Sequence, residues 1–157
     1  MKLYADRVSR ANGGGKTIAL VLGPRGDHAG ICLGMQLLFD GSDEGSGAGL
    51  GVIAGRVTRL QAARVPQIGW NDVAAVPDEP LFAAAPLPMA YYANSYVCRP
   101  TSAGVVTAWS EHEGERFPAA VRAGRAVGVQ FHPEKSSTRG VSFLRAFLDD
   151  ARTMERR

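Results

Sequence analysis

The chain has 157 residues, a common length for one domain of roughly 100 to 200 residues, and a fold of this size buries about 70% of the surface its unfolded form exposes. Its 19 glycines and 9 prolines stay below the roughly 25 to 30% of Gly plus Pro that marks low-complexity chains, and 45% apolar residues exclude disorder throughout. The net charge of +3 and pI near 9.1 reflect a small basic excess spread along the chain, not the clustered patch of a nucleic-acid binder.

In chain order, residues 1–16 mix charge with Asn12-Gly13-Gly14-Gly15 and show no period, which predicts a poorly ordered lead-in. The apolar run Thr17 to Leu22 reads as a buried strand closed by Gly23-Pro24-Arg25-Gly26. Ala29 to Phe39 moves from a small-residue strand end into a helix-forming segment, with Cys32 at the junction. A glycine-rich loop is expected over Gly41 to Gly51, then a half-exposed strand over Val52 to Leu60. Trp70-Asn71 and Val73 open a region of short strands punctuated by prolines, with strand candidates at Tyr91 to Cys98 and Val105 to Trp109. Ala119 to Arg122 should pair with Ala126 to Phe131 as a hairpin across Gly124, leading into His132. Val141, Leu144, Phe147, Leu148 and Ala151 recur at helical spacing, so an amphipathic helix should dock on the sheet. This order predicts an α/β sheet with flanking helices over residues 17–151 and a basic tail over 152–157.

Cys32 and Cys98 form no CxxC pair and no His/Cys cluster, so neither a disulfide framework nor a metal site is expected. A reducing cytosol fits that usage. No apolar run approaches the roughly 18 residues of a membrane span, and the first 15 residues lack the apolar core of a signal peptide. The expectation is a soluble, cytoplasmic protein.

Gly30-Ile31-Cys32-Leu33-Gly34 has the form of a nucleophile elbow, where glycines flank a sharp strand-to-helix turn because backbone passes too close for side chains. At a helix N-terminus the thiol would meet N–H groups that favour thiolate, and the Leu33 N–H would face an oxyanion. Read alone, the pattern more often marks a buried structural cysteine in a small-residue turn. His132 and Glu134, two apart after the last strand, supply a base and a group to orient it. His28 and His112 have no such partner in sequence and are expected in solvated loops. Gly13-Gly14-Gly15-Lys16-Thr17 imitates the end of a phosphate-binding loop and Gly49-x-Gly51-x-x-Ala54 a dinucleotide fingerprint, but both lack the strand-to-helix context.

The segments Gly30 to Phe39, Val65 to Asn71, Asn94-Ser95-Tyr96 and Gly128 to Ser136, in that order, closely resemble the class I (triad) glutamine amidotransferases. Pro66 to Asn71 is similar to the histidine-pathway branch, the HisH glutaminase subunits of imidazole glycerol phosphate synthases. The resemblance implies a flavodoxin-like α/β sheet that lacks the usual N-terminal strand and helix. It implies that Cys32 attacks the side-chain amide of L-glutamine, that His132 shuttles the proton and that Glu134 orients His132. Gln36, Glu44 and the main chain at Asn94, Ser95 and Tyr96 match substrate-holding positions, with Asn94 standing where the family usually has His. Trp70, Asn71 and Lys135 match positions that face the cyclase subunit HisF in a heterodimer. No cofactor, metal, nucleic acid or membrane is implied.

Upstream of Ala29 the resemblance stops. Family members carry a further strand and loop there that donate a second oxyanion N–H, and Gly23 to Gly26 could stand in its place. Losing one such donor costs on the order of 10² to 10³ in rate, so the shorter N-terminus predicts weak glutaminase activity. The alternative reading is a truncated or silent amidotransferase-like protein that retains a partner-binding surface.

Overall fold

A computed structural model describes residues 2–3, 19–22 and 28–155, with side-chain environments for 28–150. The expected loop over 23–26 and most of the expected lead-in fall outside the described residues.

The apolar run ahead of Cys32 forms β3 (His28–Ile31), and the run ahead of His132 forms β12 (Ala126–Val129). They pair in parallel, from Ala126 opposite His28 to Val129 opposite Ile31, so both end at one edge of the sheet. Ala29 to Ile31 and all of β12 are buried, the pattern of strands covered on both faces. The predicted hairpin is present: β12 pairs antiparallel with β11 (Glu115–Ala123) across Gly124. With β1 (Lys2–Leu3), β2 (Ala19–Leu22), β7 (Ala74–Ala75) and β10 (Val106–His112) they make a seven-stranded sheet ordered β1-β2-β3-β12-β11-β10-β7. The strand predicted from Thr17 is β2, antiparallel to β3; Thr17 and Ile18 lie outside the described residues.

The helix after Cys32 is shorter than its apolar composition suggests. α1 spans only Leu33–Gln36, and Phe39 already opens β4 (Phe39–Ser42). Tertiary pairing overrides propensity here, because β4 joins β5 (Ile53–Arg59) in a small sheet with β9 (Tyr96–Pro100), which also buries Leu38, Phe39, Ile53 and Val57. A two-stranded ribbon pairs β6 (Gln67–Asp72) with β8 (Met89–Asn94). His28 and His112 therefore lie on β3 and at the end of β10, not in loops.

α2 (Pro80–Ala84) and α3 (Ser137–Glu155) cover the main core. α3 runs through the start of the expected basic tail. Its buried seam is Gly140, Phe143 and Phe147, while Val141 and Leu148, expected on the docked face, are exposed. The reason is aromatic packing: Phe143 sits 4.9 Å from Phe82 and 5.5 Å from Phe131 between ring centroids, and Phe131 meets Tyr92 edge-on. Arg122 on β11 ties both helices to the sheet, donating to Glu79 Oε1 at 2.8 Å and to Asp150 Oδ2 at 2.9 Å. Glu79 in turn caps α2, its other oxygen accepting from the Leu81 and Phe82 N–H groups.

The elbow needs glycine at two points. A Cβ on Gly30 would stand 2.3 Å from the Gly34 carbonyl carbon, and one on Gly128 would stand 2.7 Å from Met35 Cγ. α1 thus rests directly on the backbones of β3 and β12. Because the Gly30 contact is with backbone, Gly30→Ala should cost about 3 kcal/mol or more, read as a lowered urea midpoint.

Candidate active site

Cys32 follows β3 with φ of 53° and ψ of −110°, a conformation costing a non-glycine residue about 1 to 3 kcal/mol. Its N–H donates to Val129 O at 2.8 Å, extending the parallel ladder one step past β3 and bracing the turn against β12. The Gln36 N–H returns to Cys32 O at 3.2 Å and closes α1.

His132 is held from the other side of the ladder. Its N–H donates to Tyr91 O on β8 at 2.8 Å. Ser136 Oγ completes the clasp, accepting from the Tyr91 N–H at 2.9 Å and donating to His132 O at 2.6 Å. A 3-10 turn over Pro133–Lys135 then brings Glu134 Oε1 to 2.8 Å from His132 Nδ1. With Nδ1 donating to the carboxylate, the neutral ring presents Nε2 as an acceptor. The His132 side chain is 10% exposed and that of Glu134 40%, so the pair runs from the buried base outward to the rim.

These groups share one cavity of about 280 Å³, lined by Cys32, Leu33, Gln36, Glu44, His132 and Glu134 together with Asn94, Ser95, Tyr96 and Lys135. Pro66 and Ile68 from the β6 side complete the wall. Every expected catalytic and substrate-holding residue is thus brought to one place, at the carboxyl ends of the parallel strands, where open α/β sheets bind ligands.

The polar floor of the cavity is a connected set of carboxamides. Gln36 Nε2 donates to Tyr96 O and to Gln130 Oε1, both at 3.1 Å, and Gln130 Nε2 lies 3.6 Å from Cys32 Sγ. Asn94 Nδ2 also donates to Tyr96 O, and its Oδ1 accepts from Gln67, whose Oε1 accepts from Asn71. Gln36 has therefore committed both amide hydrogens within the protein. Its carbonyl oxygen, an acceptor, is what remains for a ligand.

The partner-facing candidates separate. Trp70 is 52% and Ile68 66% exposed on the outer face of the β6–β8 ribbon, where Tyr91 packs edge-on to Trp70 and the Lys135 ammonium lies 5.9 Å above the Tyr91 ring. Asn71 points to the opposite face, its amide donating to Gln67 Oε1 and Glu111 O. Half-buried there, it ties β6 to the end of β10.

The glutamine amidotransferase class-I family model matches residues 14–151, so the likeness extends upstream of Ala29, where the motifs alone end it. The chain belongs to the class-I glutamine amidotransferases. This amidotransferase chain is 45% identical over 118 residues to the imidazole glycerol phosphate synthase subunit HisH of Pyrobaculum aerophilum, covering 75% of the chain and 60% of that relative. It is 42% identical to HisH of Acaryochloris marina over 76% of the chain and 58% of the relative. With HisH of a Synechococcus strain it shares 37% identity over 89% of the chain and 67% of the relative. The chain spans about 60% of the length of the first two relatives. Among solved structures, a glutamine amidotransferase superposes with a TM-score of 0.54 at 24% identity, over 78% of this chain and 59% of the other. A second, from Thermotoga maritima, gives 0.51 at 24% over 82% and 52%. The fold is shared.

Sequence reasoning passed over Gln130, Gln67 and Ser136 in this amidotransferase. The available signal for Gln130 was a lone amide inside the apolar run Val127 to Phe131. Ser136 offered none, because a serine at a helix start is ordinary. Ser136→Ala would leave the partly buried Tyr91 N–H and His132 O without this partner, and a loss of about 1 to 2 kcal/mol in unfolding free energy is expected from urea titration. An unchanged midpoint would show that the clasp is dispensable.

Proposed function

We propose that the chain is a glutaminase of the HisH type, hydrolysing L-glutamine to glutamate and ammonia and passing the ammonia to a HisF cyclase subunit. The observation that carries this reading is the convergence, in one cavity, of a cysteine on a strained elbow with a His–Glu pair. The likeness to HisH subunits over three quarters of the chain supports the histidine-pathway branch.

In the proposed reaction the Cys32 thiolate attacks the side-chain amide carbon of glutamine. The developing oxyanion is received by the Leu33 N–H at the start of α1. His132 Nε2, with Nδ1 held by Glu134, carries the proton that the departing nitrogen needs, and ammonia leaves. Water activated by the same imidazole then opens the glutamyl thioester, releasing glutamate and restoring the thiol. Glu44 is suited to pair with the substrate α-ammonium. Gln36, left with an acceptor oxygen, reads a substrate N–H; because both lone pairs of Tyr96 O are already occupied, the 94–96 main chain contributes through its other groups.

A glutamine-analogue electrophile tests the site directly. Mass spectrometry should find one adduct, on Cys32, absent from Cys32→Ala; an intact chain without adduct at saturating reagent would refute the reading and favour a silent amidotransferase-like protein.

The outer face of the β6–β8 ribbon, with Ile68, Trp70 and Lys135 beside the cavity mouth, is the proposed HisF-facing surface. Trp70→Ala should weaken association with the cyclase subunit by about 2 kcal/mol, roughly thirtyfold in Kd. Titration calorimetry checks it, with Cys32 labelling unchanged as the control.

A further inference from the structure

We propose that Gln130 is a positioning residue for the proposed nucleophile: its amide N–H holds the Cys32 sulfur as thiolate, and Gln36 with the Tyr96 carbonyl fixes which way that amide points. The inference rests on the reading of Cys32 as the attacking group and deepens it.

Gln130 is fully buried between the apolar residues Val129 and Phe131. A buried amide without partners is destabilising, so its surroundings must engage both ends. Oε1 accepts from Gln36 Nε2 at 3.1 Å, and Nε2 reaches Cys32 Sγ at 3.6 Å, within range for sulfur with its larger radius. Its N–H donates to Ala119 O at 2.8 Å, so the backbone beneath the side chain is anchored to β11.

The orientation is not arbitrary. A carboxamide can be turned end for end, and the direction must be set by a group of fixed polarity. Tyr96 O is a backbone carbonyl and can only accept, so Gln36 must present Nε2 to it. The same nitrogen's second hydrogen then requires Gln130 to present Oε1, which turns the Gln130 N–H toward the sulfur. One carbonyl, two side chains away, decides that the thiol faces a donor.

This supplies what α1 cannot. A long helix concentrates about half a positive charge at its N-terminus, but α1 has four residues. A single N–H donor to an anion moves the thiol's titration by about one to two pH units. The other titratable groups lining the cavity with Cys32 are Glu44, Tyr96, His132, Glu134 and Lys135, Cys98 on β9 lies within electrostatic range of it, and all are the same in every variant below.

The test is the pH dependence of iodoacetamide alkylation of the full chain, followed by mass spectrometry. Cys98, the other cysteine, is fully buried and its thiol is pushed up by that burial, so labelling of the folded chain reads Cys32. Gln130→Met keeps the volume and removes the donor; the alkylation midpoint should rise by about one pH unit. Gln36→Met leaves Gln130 in place but frees its amide to turn, and should raise the midpoint similarly, with the double variant adding little to either. Persistent protection of Cys98 reports that each variant is folded, and Gln36→Met carries the test if Gln130→Met does not fold. A wild-type midpoint in either folded variant overturns the proposal. Failure of the glutamine-analogue adduct with the midpoint shift intact would instead overturn the glutaminase reading and leave the thiolate clamp standing.

Discussion

Two parallel strands run side by side must end at the same edge, and the pairing of β3 with β12 turns that geometric fact into a site. Cys32 is the residue after one strand and His132 lies three residues beyond the other. Nothing in the local sequence around either residue brings them together; about 100 residues separate them. The ladder does so, and the bond from Cys32 N–H to Val129 O carries it one step past the strand. The elbow's strained backbone is tolerated because this bond and the seat of α1 on Gly30 and Gly128 leave it no other conformation. The rest of the fold serves this pair: β11 anchors β12 from one side, and the Arg122 links to Glu79 and Asp150 hold the covering helices in place.

Burial around the site is graded in a way that suits acid–base work. The amide floor, with Gln36, Asn94 and Gln130, is almost fully shielded, the imidazole is nearly so, and the orienting carboxylate reaches the rim. Hydrogen bonds on the shielded side act in a low dielectric and keep fixed directions, whereas the orienting carboxylate at the rim is in contact with solvent. Positioning comes from the dry side.

The sheet, its closing hairpin and the placement of Cys32, His132 and Glu134 were legible in the sequence, because apolar runs ending at Gly30–Gly34 and at Phe131-His132-Pro133-Glu134 carry local signals. The α1 boundary was not legible. Leu37, Leu38 and Phe39 are apolar in either structure, and only their pairing partner β5, contributed from further along the chain, makes the last of them a strand. The face of α3 was misjudged for a similar reason: Phe143 wins the core by ring contacts with Phe82 and Phe131, which spacing along one helix cannot show. Asn71 stands beside Trp70 in a motif that resembles a partner-facing segment, and strand alternation sends the two side chains to opposite faces, with Asn71 bonded to Gln67 and to Glu111 O. Chemical roles written in residue type were readable; those written in long-range hydrogen bonds, as at Gln130 and Ser136, were not.

The carboxamide chain has an evolutionary corollary. From Asn71 the bonds run through Gln67 and Asn94 to Tyr96 O, while Gln36 donates both to that carbonyl and to Gln130, which donates on to the sulfur; Gln67, Asn94 and Gln130 must each offer a donor on one side and an acceptor on the other. A side chain of one polarity, such as a carboxylate or an ammonium, breaks the sequence at any of these three, while a neutral imidazole can stand in there because its two nitrogens differ in the same sense. Positions 36, 67, 94 and 130 are therefore not free to drift singly. They form one heritable unit, and an exchange at one of them is expected to be tolerated only in backgrounds where its neighbours have already changed to match.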